Sequence, residues 1–323
     1  MLTYIGRRVI QMVPVFIGVT IILFILRAPG IIPGDPVRMI AGERAIPQAV
    51  YDQIVKENGL DKPIYVQYYR YMSHLVQGDL GKSYQLKRPV SSILFEKFPN
   101  TLKLALMAVI IETILGLAAG ILSAVKQYSF WDMLVTLSTS ILVSIPVFWL
   151  GMGLQILFGI KFKQWGLPYL PISGMESANF PSWVHYILPA FTLASVSTAY
   201  AARITRSQLL EVMGQDYMRT AAAKGLTSRQ VIWKHGLKNA LIPVVTFLGL
   251  DLGAMVGGTI LTETVFNWPG VGLQIFNAIS TRDWPVVMGG VIIIVFLVML
   301  INLVVDISYA FLDPRIRYGR VAE

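Results

Sequence analysis

EVMGQDYMRTAAAKGLTSRQVIWKHGLKNALIP, residues Glu211 to Pro243, is a polar and basic interruption between two apolar segments. It carries Arg219, Lys224, Arg229, Lys234 and Lys238 around Gly225. A crossing between two membrane helices needs only a short loop. Here the alanine run Ala221 to Ala223 favours helix, Gly225 breaks it, and an amphipathic piece follows. The pattern predicts two short helices with a bend between them. That is the form of a docking element on the cytoplasmic side, and it suggests half of a pump driven by another protein.

Working outward, 55% of the 323 residues are hydrophobic and only 14% are charged. Mean hydropathy is +0.62. A soluble domain carries about a quarter charged residues, so the class is an all-α integral membrane protein with several spans. There are no cysteines, which excludes disulfides, cysteine-ligated metal and a thiol nucleophile. The net charge is +9. The basic residues alternate with spans and form no separate soluble domain, so no nucleic-acid partner is expected. The first apolar run follows Arg7 and Arg8 but is longer than a signal-peptide core, and no small-x-small cleavage site follows directly. It reads as an uncleaved span.

Six segments are long and apolar enough to cross a bilayer: about Val9 to Leu26, Leu102 to Ser123, Met133 to Ile160, Trp183 to Ala202, Leu241 to Leu261 and Pro285 to Ile307. With the N-terminus inside, the inner segments hold Arg7, Arg8, Lys126, the basic residues from Arg203 to Lys238, and Arg315, Arg317 and Arg320. The short outer loops hold only Lys161, Lys163 and Arg282. This asymmetry places both termini in the cytoplasm.

The long outer segment, residues 28–100, is too structured for a linker. Pro33 to Val37 sets up a turn in which Asp35 is a candidate cap. Pro47 to Asn58 ends in Gly59, and Ile64 to Val76 is followed by Gly78. Both read as short helices with C-terminal glycine stops, giving a small helical extracytoplasmic cap. Gly116 and Gly120, and Gly249, Gly253 and Gly257, have the spacing of close helix packing or of helices that slide during transport.

Chemical motifs are few. GDLGKS, Gly78 to Ser83, superficially resembles a phosphate-binding loop, but Val76 stands where that motif needs glycine. His74, His185 and His235 have no metal-ligand spacing. Ionisable residues in or near spans are Glu112, Asp251 and Asp306. Glu112 reads either as a pore-facing or proton-carrying carboxylate or as one satisfied by neighbouring hydroxyls and backbone; for Asp251 and Asp306 helix-to-helix bonding is favoured. Trp233, among Arg229, Lys234 and Lys238, reads equally as an interface anchor or as a residue lying at lipid headgroup level.

YMRTAAAKGL, Tyr217 to Leu226, with HGLKNALIP, His235 to Pro243, resembles the EAA loop of bacterial ABC-importer permeases, in the peptide and nickel branch (dipeptide/oligopeptide permeases, DppB/OppB type). IIPGDPV, AGER, GLDKP, GDLGKS, LTETVFNWPGVG, RDWPVV and the tail DPRIRYG match the same branch, so the resemblance covers nearly the whole chain. Alignment on Gly225 puts Arg219 at the consensus glutamate and Thr220 and Ala221 at the two alanines. His235 and Lys238 take the later isoleucine and proline positions. Peptide-branch permeases similarly lack that glutamate, and no role is carried through it.

The resemblance implies a six-span ABC-importer permease half forming one membrane domain over 1–323. It implies a homologous second permease (DppC-like), two cytoplasmic ABC ATPases that carry the ATP and Mg, and an extracytoplasmic peptide-binding protein. No cofactor is bound and no covalent chemistry performed by this chain. Alternating access in the cytoplasmic membrane would be driven through a coupling loop, residues 203–240, with Arg219, Thr220, Ala221, Lys224, Gly225, Arg229, Trp233, Lys234 and Lys238 facing the ATPases. Asp35, Glu263, Asn267 and Trp268 would face the binding protein. Di- or oligopeptides lead as substrate, with nickel chelates, glutathione or another small solute as alternatives. An ion-coupled secondary transporter is the rival class, but it needs a coupling-ion site, often within inverted repeats, and neither is visible.

The charge asymmetry makes a direct prediction. With single cysteines introduced into this cysteine-free chain, positions Lys62 and Lys163 should react with a membrane-impermeant thiol reagent in intact cells, and Lys224 and Arg317 only after lysis. Labelling of position 224 from outside would overturn the topology.

Overall fold

A computed structural model describes residues 2–26, 36–41, 46–57 and 59–312. Asp35, the AGER motif beyond Ala41, and the tail from Asp313 lie outside the described residues. The described chain is helical throughout: α1 (Leu2–Leu26), α2 (Pro36–Ala41), α3 (Gln48–Glu57), α4 (Ile64–Val76), α5 (Val90–Val125), α6 (Phe130–Ser144) and α7 (Val147–Leu154) come first. They are followed by α8 (Phe162–Gln164), α9 (Ile187–Met213), α10 (Asp216–Ala223), α11 (Ser228–Gln230), α12 (Leu237–Val265), α13 (Val271–Ser280) and α14 (Trp284–Leu312). A hydrocarbon layer offers no partners for open backbone groups, so helices are the expected solution.

Five helices are long and apolar enough to cross a membrane unbroken. The segment expected as the third span, Met133 to Ile160, is α6 and the helix from Val147 to Gln164, bent by 108°; taken as one span, the pair brings the number to six. The cause of the bend is local. Pro146 cannot continue α6, and Ile145 before it takes an extended conformation with φ −92° and ψ 127°. The second span starts earlier than the apolar run suggests, since α5 tolerates Pro99 and runs from Val90.

The chain divides into two compact units. The first comprises residues 1–101 and 269–299 and holds α1, the cap helices, the start of α5, α13 and the start of α14. The cap is as the glycine stops foretold: α3 ends before Gly59 at φ 63°, and α4 before Gly78 at φ 79°. The cap rests on α1 through Phe24, whose ring meets Tyr68 at 5.4 Å and Tyr71 at 5.8 Å. Asp283, just before α14, is the hub of this unit. Its buried carboxylate accepts from the Ser83 hydroxyl and from the backbone N–H groups of Tyr84 (2.9 Å) and Gln85 (3.2 Å). Asp79 accepts from the Gly81 N–H at 2.9 Å. The phosphate-loop lookalike is thus a turn in which Asp79 and Ser83 are bound internally, while the Lys82 ammonium is not, among the described residues.

The second unit comprises residues 102–268 and 300–323. Its centre is α9, on which α6, α7 and α12 all pack. The stretch Leu102 to Val125 of α5 lies against α9 backbone to backbone. A Cβ at Gly116 would stand 2.7 Å from the Ala201 Cβ, and one at Gly120 would stand 2.6 Å from the Ala202 carbonyl oxygen. The first glycine pair therefore works as a close-approach seam.

The seam predicts the effect of substitution. Gly120→Val has no room and should lower stability by about 1–3 kcal/mol, seen as a lower melting temperature of the detergent-solubilised protein. Gly153→Ala, on α7 with nothing within 4 Å, should be neutral or slightly stabilising. Equal melting temperatures for the Gly120 variant and the parent would show that the seam is not close-packed.

Candidate functional site

The element that begins at the end of α9 is built from local rules. α9 runs to Met213, and a short linker ending in Gln215 leads into α10. Gly225 then takes φ 83°, a conformation open to glycine at no steric cost, and turns the chain back. Thr227 opens the next helix with a capping box: its hydroxyl accepts from the Gln230 N–H, and the Gln230 side chain accepts from the Thr227 N–H at 3.0 Å. The bend expected at Gly225 is present. The second short helix is not separate, however. α11 passes through a wider π-turn, Val231–Gly236, directly into α12, so residues 228–265 form one continuous rod. The apolar membrane helix simply extends the amphipathic piece, with no breaker between them.

Beneath the bend lies a small core. Met218, Ala221 and Val231 are buried together, with Val212, Met213 and Leu226 around them. Gly236 lets this core close, since a Cβ there would lie 3.1 Å from the Met218 methyl. Asn239 Nδ2 donates to the Tyr217 hydroxyl at 3.0 Å, tying α10 to α12. Ala221 is thus part of the bend's interior. Arg219, Thr220, Lys224 and Lys238 are exposed; Arg219 reaches Asp216 at 3.4 Å, and Thr220 caps back to the Asp216 carbonyl at 3.0 Å. Arg229, Gln230, Trp233 and Lys234 line a shallow hollow of about 410 Å³, and Trp233 is 55% exposed on it. A large, stiff aromatic surface ringed by cations is left for a partner or a lipid surface.

Sequence reasoning missed what braces this element. Asp132, at the start of α6, receives both arms of the Arg206 guanidinium at 2.9 Å, the Ser123 hydroxyl and the Tyr128 N–H at 2.9 Å. This bidentate pair joins the end of α5 and the start of α6 to α9, about two turns before α9 ends. A signal was present: Ser129 followed by an acid three residues on is an N-cap pattern, and Ser129 does accept from the Asp132 N–H.

The membrane acids are resolved differently from either sequence reading. Glu112 is fully buried, and neither of its oxygens has a donor among the described residues. It lies beside Asp251 of α12, which has the Ser197 hydroxyl as partner but one oxygen without any. Through the Ser197 hydroxyl, Asp251 of α12 is linked to α9. Asp306 is half-buried on α14. Glu263, in the last turn of α12, and Trp268, in the loop after it, are wholly enclosed. The Trp268 N–H donates to the Glu263 carbonyl at 2.8 Å and its ring meets Tyr186 edge-on at 4.6 Å. Of this loop's expected contact residues only Asn267, at φ 47°, is exposed. Among the described residues no cluster of three or more His or acidic side chains could hold a metal ion.

A helical bundle with a bent third segment and a glycine-turned basic bend defines the class: a membrane-spanning permease with the fold of an ABC-transporter permease. The fold match is seen in a chain of the MetNI methionine ABC transporter in an inward-facing conformation (TM-score 0.54, 19% identity, covering 68% of this chain and 96% of that one). Residues 116–318 match the family described as the binding-protein-dependent transport system inner membrane component, and residues 1–105 match its N-terminal partner family. The chain belongs to that family of transport-system membrane components. It is 41% identical, over 98% of its length and the whole of the relative, to the dipeptide transport system permease protein DppB of Alkalihalophilus pseudofirmus. It is equally 41% identical, over 98% of its length, to the glutathione transport system permease protein GsiC of Escherichia coli O6:H1.

The carboxyl pair yields a prediction. Glu112→Gln brings an amide donor beside Asp251 at nearly constant volume. The solubilised variant should melt no lower than the parent, and up to about 1 kcal/mol more stable. Glu112→Ala, which leaves a void, should melt lower. A destabilised glutamine variant would show that the buried pair is itself a favourable contact.

Proposed function

We propose that this chain is one permease half of an ATP-driven importer of di- and oligopeptides in the cytoplasmic membrane. With a homologous second permease it forms the translocation path. Two cytoplasmic ABC ATPases bind α10 and the start of α12, an extracytoplasmic binding protein delivers substrate, and both termini are cytoplasmic. ATP and Mg belong to the ATPases, and this chain binds no nucleotide and performs no covalent step. The observation that carries the reading is the lever itself: α10 is held to α9 by a two-residue linker and to α12 by the Met218–Ala221–Val231 core and the Tyr217–Asn239 bond. A displacement of α10 is therefore passed into two long helices at once. α9 and α12 pack against one another, and α5 lies on α9, so the turn of the lever reaches the bundle that would open alternately to either side.

Glutathione is the second reading of the substrate, supported by relatives of equal identity whose name carries that substrate. Both readings share one chemistry, a small peptide-like solute selected chiefly by the binding protein. Uptake of labelled dipeptide and of labelled glutathione by cells with and without the gene separates them.

Docking is tested by substitution. A Cβ at Gly225, held at positive φ, costs about 1–2 kcal/mol, so Gly225→Val should disturb the bend and weaken ATPase binding. Trp233→Ala should weaken it about thirtyfold or more if the ring is an interface anchor. Pull-down of the ATPase subunits at equal permease levels reads both effects. Normal assembly and transport in both variants would remove the docking assignment. Stoichiometric ATP binding by the purified chain alone would remove the non-catalytic one.

A further inference from the structure

The first unit contains a cavity of about 710 Å³, well within the size range of sites that take small organic ligands. Its walls come from α1, α3, the cap helix α4, the turn after it and the beginning of α14. On one side they are apolar: Phe24 in the last turn of α1, and Pro285 and Met288 in the opening turns of α14. On the other side stand Arg70, Lys82 and Lys87.

The charges in this cavity do not cancel. Asp79, which also lines it, is already engaged by His74 at 3.2 Å and by the Gly81 N–H at 2.9 Å. Glu57, on the same wall, accepts from Gln53 at 2.7 Å. Among the described residues Arg70 and Lys82 make no ion pair, and Lys87 donates only to the Ile40 carbonyl at 3.1 Å. The Arg70 guanidinium lies over the Gly59 turn, where a Cβ would come within 2.6 Å of Nη1. Lys87 is held at φ 55°, an uncommon conformation for a residue with a side chain. Three cations thus share the hollow with two carboxylates, and among the described residues Arg70 and Lys82 are paired with neither.

The position of the hollow narrows the ligand. It lies where two long apolar helices end and the polar cap begins, which is the level of the headgroups of a bilayer. Along α1, Ile17, Ile21 and Ile25 form a row of exposed apolar side chains beside the row that ends in Phe24. An occupant with an anionic head against Arg70 and Lys82 and an apolar tail along that row satisfies both walls. A guanidinium and an ammonium suit phosphate oxygens, and basic pockets between membrane helices take anionic lipid heads.

We propose that this cavity is a binding site for the phosphate headgroup of an anionic phospholipid, which seats the cap on the membrane surface. The inference rests on the chain spanning a membrane and not on what it transports. Native mass spectrometry of the intact assembly, released from mild detergent with phosphatidylglycerol or phosphatidylcholine added, tests it. Phosphatidylglycerol should be retained about tenfold more than phosphatidylcholine. Arg70→Ala with Lys82→Ala should abolish that preference, and Arg70→Lys with Lys82→Arg should restore most of it. Lys97→Ala, paired with Glu96 at 3.1 Å outside the cavity, should leave it unchanged and controls for general charge loss. A preference that survives the double alanine substitution would overturn the proposal. So would full displacement by inorganic phosphate, which would mark a free-anion site, or by millimolar dialanine, which would mark a peptide subsite. Dipeptide uptake by the same variants is read separately, so loss of the lipid site and loss of the transport reading are distinguishable.

Discussion

Between α5 and α9 there is no side chain at Gly116 or Gly120 to hold the backbones apart, and a single added carbon at Gly120 would meet both the Thr205 Cβ at 2.5 Å and the Ala202 carbonyl oxygen at 2.6 Å. In a membrane no hydrophobic force pushes helices together, so close backbone contact and dispersion must supply the association. The second unit is built on this seam. It fixes α9 against α5, and α9 in turn carries α6, α7 and α12. The Asp132–Arg206 pair closes the same helices at one end, with two parallel hydrogen bonds that set rotation as well as distance.

The lever inherits its stiffness from that frame. α10 is short, and an isolated helix of eight residues would not persist in water. It is stable here because Met218 and Ala221 are covered by Val231 and because Gly236 allows the π-turn to approach. π-turns inside longer helices tend to mark functional positions. This one carries Trp233 and Lys234 of the exposed hollow and leads directly into α12. Exposed and buried residues are thus interleaved along Arg219 to Lys238: the cations face out, and Ala221 and Val231 face in.

The buried acids show a different economy. Glu112 and Asp251 lie together with no cation beside them among the described residues, which costs free energy unless the surroundings compensate. Ser197 offers partial compensation on the Asp251 side only. In the first unit Arg70 and Lys82 stand at a cavity without an ion pair among the described residues. Asp283, by contrast, is fully met by three donors from Ser83 to Gln85, and it makes a phosphate-loop lookalike into a fastener.

The sequence by itself determined the features that depend on neighbours in the chain. Apolar runs set the class and most spans. Gly59 and Gly78 stopped α3 and α4 where the pattern placed them, and Gly225 made the bend, because a positive φ is a property of one residue. Pro146 is also a local signal, and it bends the third apolar segment by 108°. Only the tertiary structure decided which polar residues face one another. Glu112 and Asp251 are 139 positions apart, Ser83 and Asp283 are 200, and Asp132 and Arg206 are 74. Trp268 and Glu263 resemble surface residues in a loop, yet the fold encloses both. Periodicity reports which face of a helix is apolar, but which helix covers that face is settled by packing between distant segments, and no spacing rule within one segment records it.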